Sequence, residues 1–191
     1  MKMKSFPILE TENLILRAMM RSDREDLFAI RSDPRMHTYT DTAPDQTQAQ
    51  TEAYIEKMRT GVEEDRWIIW AMEAKREKKV IGSVGIWNID FQRNTAELSY
   101  GIAPALQGKG LMKEALKSVL DYGFCTMSLS ALEAYTEQDN IPSRCLLEAL
   151  GFIEAERVDD VGEDGERIYH MVGYRLEQNG CPSESASYTQ R

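Results

Sequence analysis

The chain has 191 residues, 42% of them apolar and 29% charged, with a formal net charge of −9. That is enough material for one domain with a buried core. The acidic balance speaks against nucleic acid as the main partner, because phosphate binding asks for a basic surface, and it is compatible with a cationic substrate such as an amine.

No apolar run reaches the length that spans a bilayer, so no membrane partner is expected. The start MKMKSFPILETENL carries two lysines but neither the apolar segment nor the small-residue cleavage site of a leader. The three cysteines, Cys125, Cys145 and Cys181, are odd in number and widely spaced, and His37 and His170 stand far apart. Neither a disulfide framework nor a metal site is expected from them, and the expected compartment is a reducing cytoplasm.

In chain order, ENLILRAM (12–19) reads as a strand. RSDREDLFAIRSD (21–33) reads as a helix, with Ser22 or Asp23 as its cap and Pro34 as its stop. A loop follows, and TQAQTEAYIEKMRTG (47–61) reads as a second helix with Gly61 as its C-cap. RWIIWAMEA (66–74) and VIGSVGIWNI (80–89) read as a hairpin, the two glycines of the second strand marking a bulge or a close backbone approach. In TAELSYGI (95–102), Ala96, Leu98, Tyr100 and Ile102 face one way, and Thr95, Glu97, Ser99 and Gly101 the other. A helix then carries Met112, Ala115, Leu116, Val119 and Leu120 on one stripe. LSALEAYT (129–136) reads as a strand, DNIPSRCLLEALGF (139–152) as a short helix, and 152–160 and 166–176 as two last strands. This order predicts one α/β domain over 1–176, a mixed sheet of seven strands with helices on both faces, and a disordered polar tail over 177–191.

The least ordinary stretch is PALQGKGLMKEALKSVLDYGF (104–124). Glycines ahead of a helix cost backbone entropy. A helix start exposes unpaired N–H groups and the positive end of the helix dipole, and glycines let a bulky anion approach them. The turn lacks the P-loop pattern and a full dinucleotide fingerprint. A plain glycine turn and a phosphate site are both compatible with it taken alone. Downstream, Asn140 and Ser143 share the first turn of the next helix and can point toward whatever lies beside the first.

On these residues the chain resembles the GCN5-related N-acetyltransferases (GNAT), and within them the ribosomal-protein N-acetyltransferase subfamily. The family pattern Gln/Arg-x-x-Gly-x-Gly/Ala stands here as Gln107-Gly108-Lys109-Gly110-Leu111-Met112, and LETENLILRAM, AELSYGI and DNIPSRCLLEALGF fit the subfamily. The resemblance runs from about Leu9 to Leu176. It implies the GNAT fold, with a mostly antiparallel sheet, and acetyl-CoA as co-substrate with no metal. It implies that backbone N–H groups from Gln107 to Met112 bind the pyrophosphate of coenzyme A. The backbone of Tyr100, Gly101, Ile102 and Ala103 would pair with the pantetheine arm, and Asn140 would bind the same arm. A homodimer is reasonable on the same ground.

Transfer from a thioester to an amine needs a base, a donor to the carbonyl oxygen and a donor to the leaving thiolate. Glu97 is the candidate base, acting through water; an exposed strand glutamate is the competing reading. The oxyanion donor would be a backbone N–H near Ile102 or Ala103, where a bulge is expected to free it. Many relatives place a tyrosine seven residues after the asparagine; here that residue is Leu147, so no tyrosine acid comes from this position. Ser143 is the substitute the subfamily suggests, with a simple capping serine as the alternative. Met36, His37, Tyr39 and Asp41 are acceptor-side candidates, and Lys109 and Arg144 are candidates for the adenosine 3′-phosphate. The acceptor would be a protein N-terminus or a small amine; the alternative function is a silent acyl-CoA-binding sensor or scaffold.

Overall fold

The computed structural model describes residues 5–162 and 165–178. Eight strands form one sheet: β1 (Leu9–Glu10), β2 (Leu14–Ala18), β3 (Ile68–Ala74), β4 (Lys79–Asp90), β5 (Thr95–Ile102), β6 (Ala131–Glu137), β7 (Ile153–Val161) and β8 (Ile168–Glu177). Their order across the sheet is β1-β2-β3-β4-β5-β6-β8-β7. Every neighbouring pair is antiparallel except β5 and β6. The eighth strand, absent from the seven expected, is β1. Two residues are too few to show an alternation, and it exists because Leu9 pairs with Leu16 in β2.

Among the described residues four α-helices flank the sheet: α1 (Arg24–Arg31), α2 (Gln48–Glu63), α3 (Leu111–Asp121) and α4 (Ile141–Ala149). The alternation along β3 shows why both faces need cover. Ile68, Trp70 and Met72 enter the main core with Met112, Ala115, Leu116 and Val119 of α3. Ile69 and Ala71 enter a second core with Leu27 of α1 and Ile55 of α2. A strand buried on both faces reads as a continuous apolar run, as IIWAM does. Trp70, fully buried, donates its indole N–H to the Pro7 carbonyl at 2.8 Å and so pins the N-terminal segment.

Local chemistry sets the helix ends, with one correction. Thr47 and Gln50 form a capping box that starts α2. The helix does not stop at Gly61, as its C-cap role would require, but continues to Glu63. Gly61 is there for packing: a Cβ would stand 2.0 Å from Trp67 Cε2. α3 is followed by a π turn, Tyr122–Thr126.

Cys145 is a free, exposed thiol. Cys181 and the tail from 179 lie outside the described residues. Among the described residues no helix is long and apolar enough to cross a membrane, and no cluster of histidine, cysteine or carboxylates has metal-binding geometry.

In an ordinary exposed helix, glycine to alanine gains about 1 kcal/mol. Gly61→Ala should instead lower stability by about 1–3 kcal/mol, the usual cost of overpacking. Urea denaturation measures the sign, and a gain would show that the Trp67 ring moves aside freely.

Candidate active site

β5 forms one wall of the site. Its register with β4 is unbroken from Gly82↔Ile102 to Trp87↔Glu97, and Ala103 N–H extends it by donating to the Ile81 carbonyl at 2.9 Å. Hydrogen-bonded pairs alternate along an antiparallel ladder. Ser99, Gly101 and Ala103 therefore turn their amides to β4, while Tyr100 and Ile102 turn theirs to the opposite side. On that side β6 is paired only at Thr95↔Ala131, Ala96↔Leu132 and Glu97↔Glu133. Beyond them the two strands part and leave a slot edged by backbone amides of β5. The bulge expected near Ile102 or Ala103 is not there, and the Ala103 N–H is already taken. The irregularity lies in β4, between Trp87 and Asp90.

At the end of the slot a 3-10 turn, Pro104–Leu106, leads to Gln107, Gly108, Lys109 and Gly110, all exposed. Gly108 has φ +73° and Gly110 φ +80°, and a Cβ on either would meet nothing within 4 Å. Left-handed backbone, not crowding, calls for glycine here, and the space above the turn is open. Gly110 is the N-cap of α3 and no side chain caps that end. The first N–H groups of α3 are left for an outside acceptor, with the dipole behind them. The side chain of Met112 is buried in the main core, so its departure from a small residue alters the packing under the helix and not these donors.

The second wall follows β6. Asn140 is the N-cap of α4, and its Oδ1 accepts from Ser143 N–H at 3.3 Å. Ser143 Oγ lies 2.8 Å from Tyr100 Oη. A residue of β5 and a residue beyond β6 thus meet across the mouth of the slot. Burial pushes the Tyr100 phenol up to about 12, against the opposing pull of the Ser143 bond. Leu147 is fully buried in the main core. Arg144 is turned toward β8: it donates to Tyr174 Oη at 3.1 Å and to the Gln138 carbonyl at 3.2 Å. Lys109 is exposed on the turn.

Glu97 lies on the other face of β5. Asn88 Nδ2 donates to its Oε1 at 3.0 Å. Asn88 sits in the β4 bulge with φ +46°, so the bulge delivers its side chain to the carboxylate. Trp87, paired with Glu97, lines an open depression with Trp67, Ile89 and Phe91. On β6, Glu133 is held by Arg175 and Arg93. Tyr135 Oη donates to Glu156 at 2.6 Å, which holds the phenol well above the usual tyrosine range, with burial and the Glu133 and Glu97 charges adding to it. Glu97 and Glu156 place carboxylates on this half of the sheet, while Glu133 is paired with the two arginines.

The loop between α1 and α2 borders that surface. Met36 Cε lies 3.2 Å from where a Cβ on Gly101 would stand. Arg167 donates to the Thr38 carbonyl at 3.1 Å, and Tyr169 Oη to the Thr40 carbonyl at 3.2 Å and to Asp41 at 3.4 Å. The loop's ends are tied by Arg31, which grips Asp45 at 2.8 and 3.0 Å and lies over the Tyr54 ring. His37 donates from Nε2 to the Arg31 carbonyl at 2.8 Å. The sequence reading missed the Tyr100 side chain and Asn88. Tyr100 sat on an apolar stripe and read as core, and Asn88 owes its position to a bulge that alternation does not show.

The family model of the acetyltransferase (GNAT) domain matches residues 13–153. The chain is 33% identical over 184 residues to the uncharacterized N-acetyltransferase YoaA of Bacillus subtilis, with 96% of each chain covered. The ribosomal-protein-S5-alanine acetyltransferase of Vibrio fischeri has the same fold, with a TM-score of 0.78 at 19% identity over 92% of this chain and 98% of that one. So does the spermidine N-acetyltransferase of Vibrio cholerae in complex with CoA and spermine, with a TM-score of 0.74 at 23% identity over 87% and 96%. The chain belongs to the GNAT family of acetyltransferases, enzymes that take their acetyl group from acetyl-CoA.

Two outcomes follow from this geometry. Gly110→Ala should cost about 1–2 kcal/mol, the penalty for a side chain in left-handed backbone, and should weaken acetyl-CoA binding in a calorimetric titration. Burial raises the Asp45 carboxyl, but Arg31 and Thr51 outweigh it and hold it below the ordinary 3.8. A depressed carboxylate stabilises the fold above its unfolded value and loses that contribution as pH falls through the folded one. The stability gap between wild type and Asp45→Asn should therefore be full at neutral pH and close as pH drops below 3.8. Acid titration of both proteins in urea measures it.

Proposed function

We propose that the chain moves the acetyl group from acetyl-CoA to a primary amine by direct attack, with donor and acceptor bound together. The observation that carries this reading is the slot between β5 and β6, with an open, glycine-built helix start at one end and Glu97 on the far face of β5. The residues fit the donor. The amides of Tyr100 and Ile102 face the slot and suit the pantetheine arm as an added strand would, while Gly101 and Ala103 keep β5 on β4. Backbone N–H groups from Gln107 to Met112, with Leu111 at the helix start, suit the pyrophosphate. Asn140 uses its oxygen as a cap, which leaves its NH₂ group for a carbonyl of the arm.

The chemistry divides among this chain's residues. An ammonium has no lone pair, so the amine must lose a proton before it attacks. Glu97 takes that proton through water, its other oxygen held by Asn88. The Ile102 N–H, turned to the slot, is the donor for the carbonyl oxygen as charge develops there. Ser143 is the donor toward the leaving sulfur.

For the acceptor, the Glu97 and Glu156 carboxylates support a cationic amine, either a protein N-terminus or a small polyamine. The named relatives include enzymes of both kinds: one for ribosomal protein S5 alanine and one for spermidine. An acceptor panel containing spermidine, spermine and peptides with free N-termini, incubated with acetyl-CoA and read by mass spectrometry, tests the class. Acetyl-CoA binding with no thiol release from any amine would favour the silent sensor instead. Glu97→Gln should lower kcat by about 10²-fold or more, in line with loss of a general base, and leave acetyl-CoA affinity unchanged. Full turnover in that variant would remove Glu97 from the base role.

A further inference from the structure

We propose that Tyr100 is a positioning residue: its phenol donates to Ser143 Oγ, which leaves the Ser143 hydroxyl hydrogen free to point into the slot toward the sulfur of coenzyme A. This rests on Ser143 as the donor to the leaving thiolate. The two oxygens are 2.8 Å apart, and only one hydrogen can lie between them. If Ser143 supplied it, none would remain for the sulfur. A phenol is a far stronger acid than an alkyl hydroxyl and therefore the better donor of the two.

Both partners are held. Tyr100 packs against the main core, and its neighbours Ser99 and Gly101 hold β5 on β4 with the Tyr100–Val84 register intact. Ser143 is fixed in the first turn of α4 by its N–H bond to Asn140 Oδ1. The pair bridges the two walls at the point where β5 and β6 have separated, so its hydrogen-bond direction sets what the slot presents to a sulfur. Burial keeps the phenol protonated across the neutral range, about 12 being far above it.

The step balances with the groups already named. The amine nitrogen bonds to the carbonyl carbon, and the C–S bond breaks with its electron pair going to sulfur. The first amine proton leaves through water to Glu97 before the attack, and the second, on the nitrogen made cationic by bonding to carbon, passes to solvent as the C–S bond breaks. The thiolate accepts a hydrogen bond from Ser143 and takes its proton from solvent on release. Tyr100 loses no proton at any stage.

Coenzyme A itself is the probe, which makes the test independent of the acceptor. The thiol of bound coenzyme A is titrated by its ultraviolet thiolate absorbance, as a difference against the same protein carrying desulfo-coenzyme A. In wild type the bound thiol should ionise more readily than free coenzyme A. Ser143→Ala should abolish that advantage, and Tyr100→Phe should lower the thiolate fraction about tenfold, one unit of pKa. In the Ser143→Ala background, Tyr100→Phe should add nothing, because it acts through the serine. Ser143→Thr, which keeps a hydroxyl, should restore most of the effect. If Tyr100→Phe titrates like wild type while Ser143→Ala does not, the proposal falls alone. If neither variant shifts the thiol, or wild type does not bind coenzyme A, the reading of Ser143 or of the slot falls and takes the proposal with it.

Discussion

β5 and β6 are hydrogen-bonded for three residues and then part, and the rest of the molecule is arranged around that separation. Parallel neighbours need a crossover, and here the crossover is the glycine turn and α3. The same connection that makes the pair parallel therefore brings a helix start to the open end of the gap. β4 on one side and β8 on the other complete the ladders of the two parted strands, so each keeps a full set of partners on its outer edge and a bare edge on the inner. A bare strand edge inside a sheet is a liability unless something fills it, and an extended amide-bearing arm has the shape and chemistry to do so.

The alternation of β5 separates the tasks. Tyr100 and its neighbours of the apolar stripe turn to the α3 side, and Glu97 turns to the face bordered by the loop between α1 and α2. Donor and acceptor in the proposed reaction would then approach from opposite faces and meet where the strands diverge. The Arg31–Asp45 pair and the bonds from Tyr169 and Arg167 hold that loop against β5 and β8. The side proposed for the acceptor is thus shaped by contacts between segments far apart in the chain.

Much of this was legible in residues taken in order. QGKG ahead of an apolar helical stripe marked a glycine turn into a helix start, and TAELSYGI showed its two faces without ambiguity. Other features were not. Gly61 looked like a helix stop because glycine is a common C-cap, and it proved to be a flat seat for the Trp67 ring. β1 and the β4 bulge leave no periodic mark, since one is too short and the other breaks the period. The bulge was expected at the wrong strand, because nothing in an alternating pattern reports which amides a neighbour will claim.

By itself, the amino-acid sequence determined which longer segments are strands and helices and where backbone must turn left-handed. Those are local consequences of side-chain shape and of the periods 2 and 3.6. Only the tertiary structure decided that Tyr100, placed on an apolar stripe, has its phenol on Ser143, 43 positions away, and that Asn88 holds Glu97. Both depend on the distance between strands that part by a few residues of pairing, a quantity set by packing of the whole sheet and written in no single stretch of the chain.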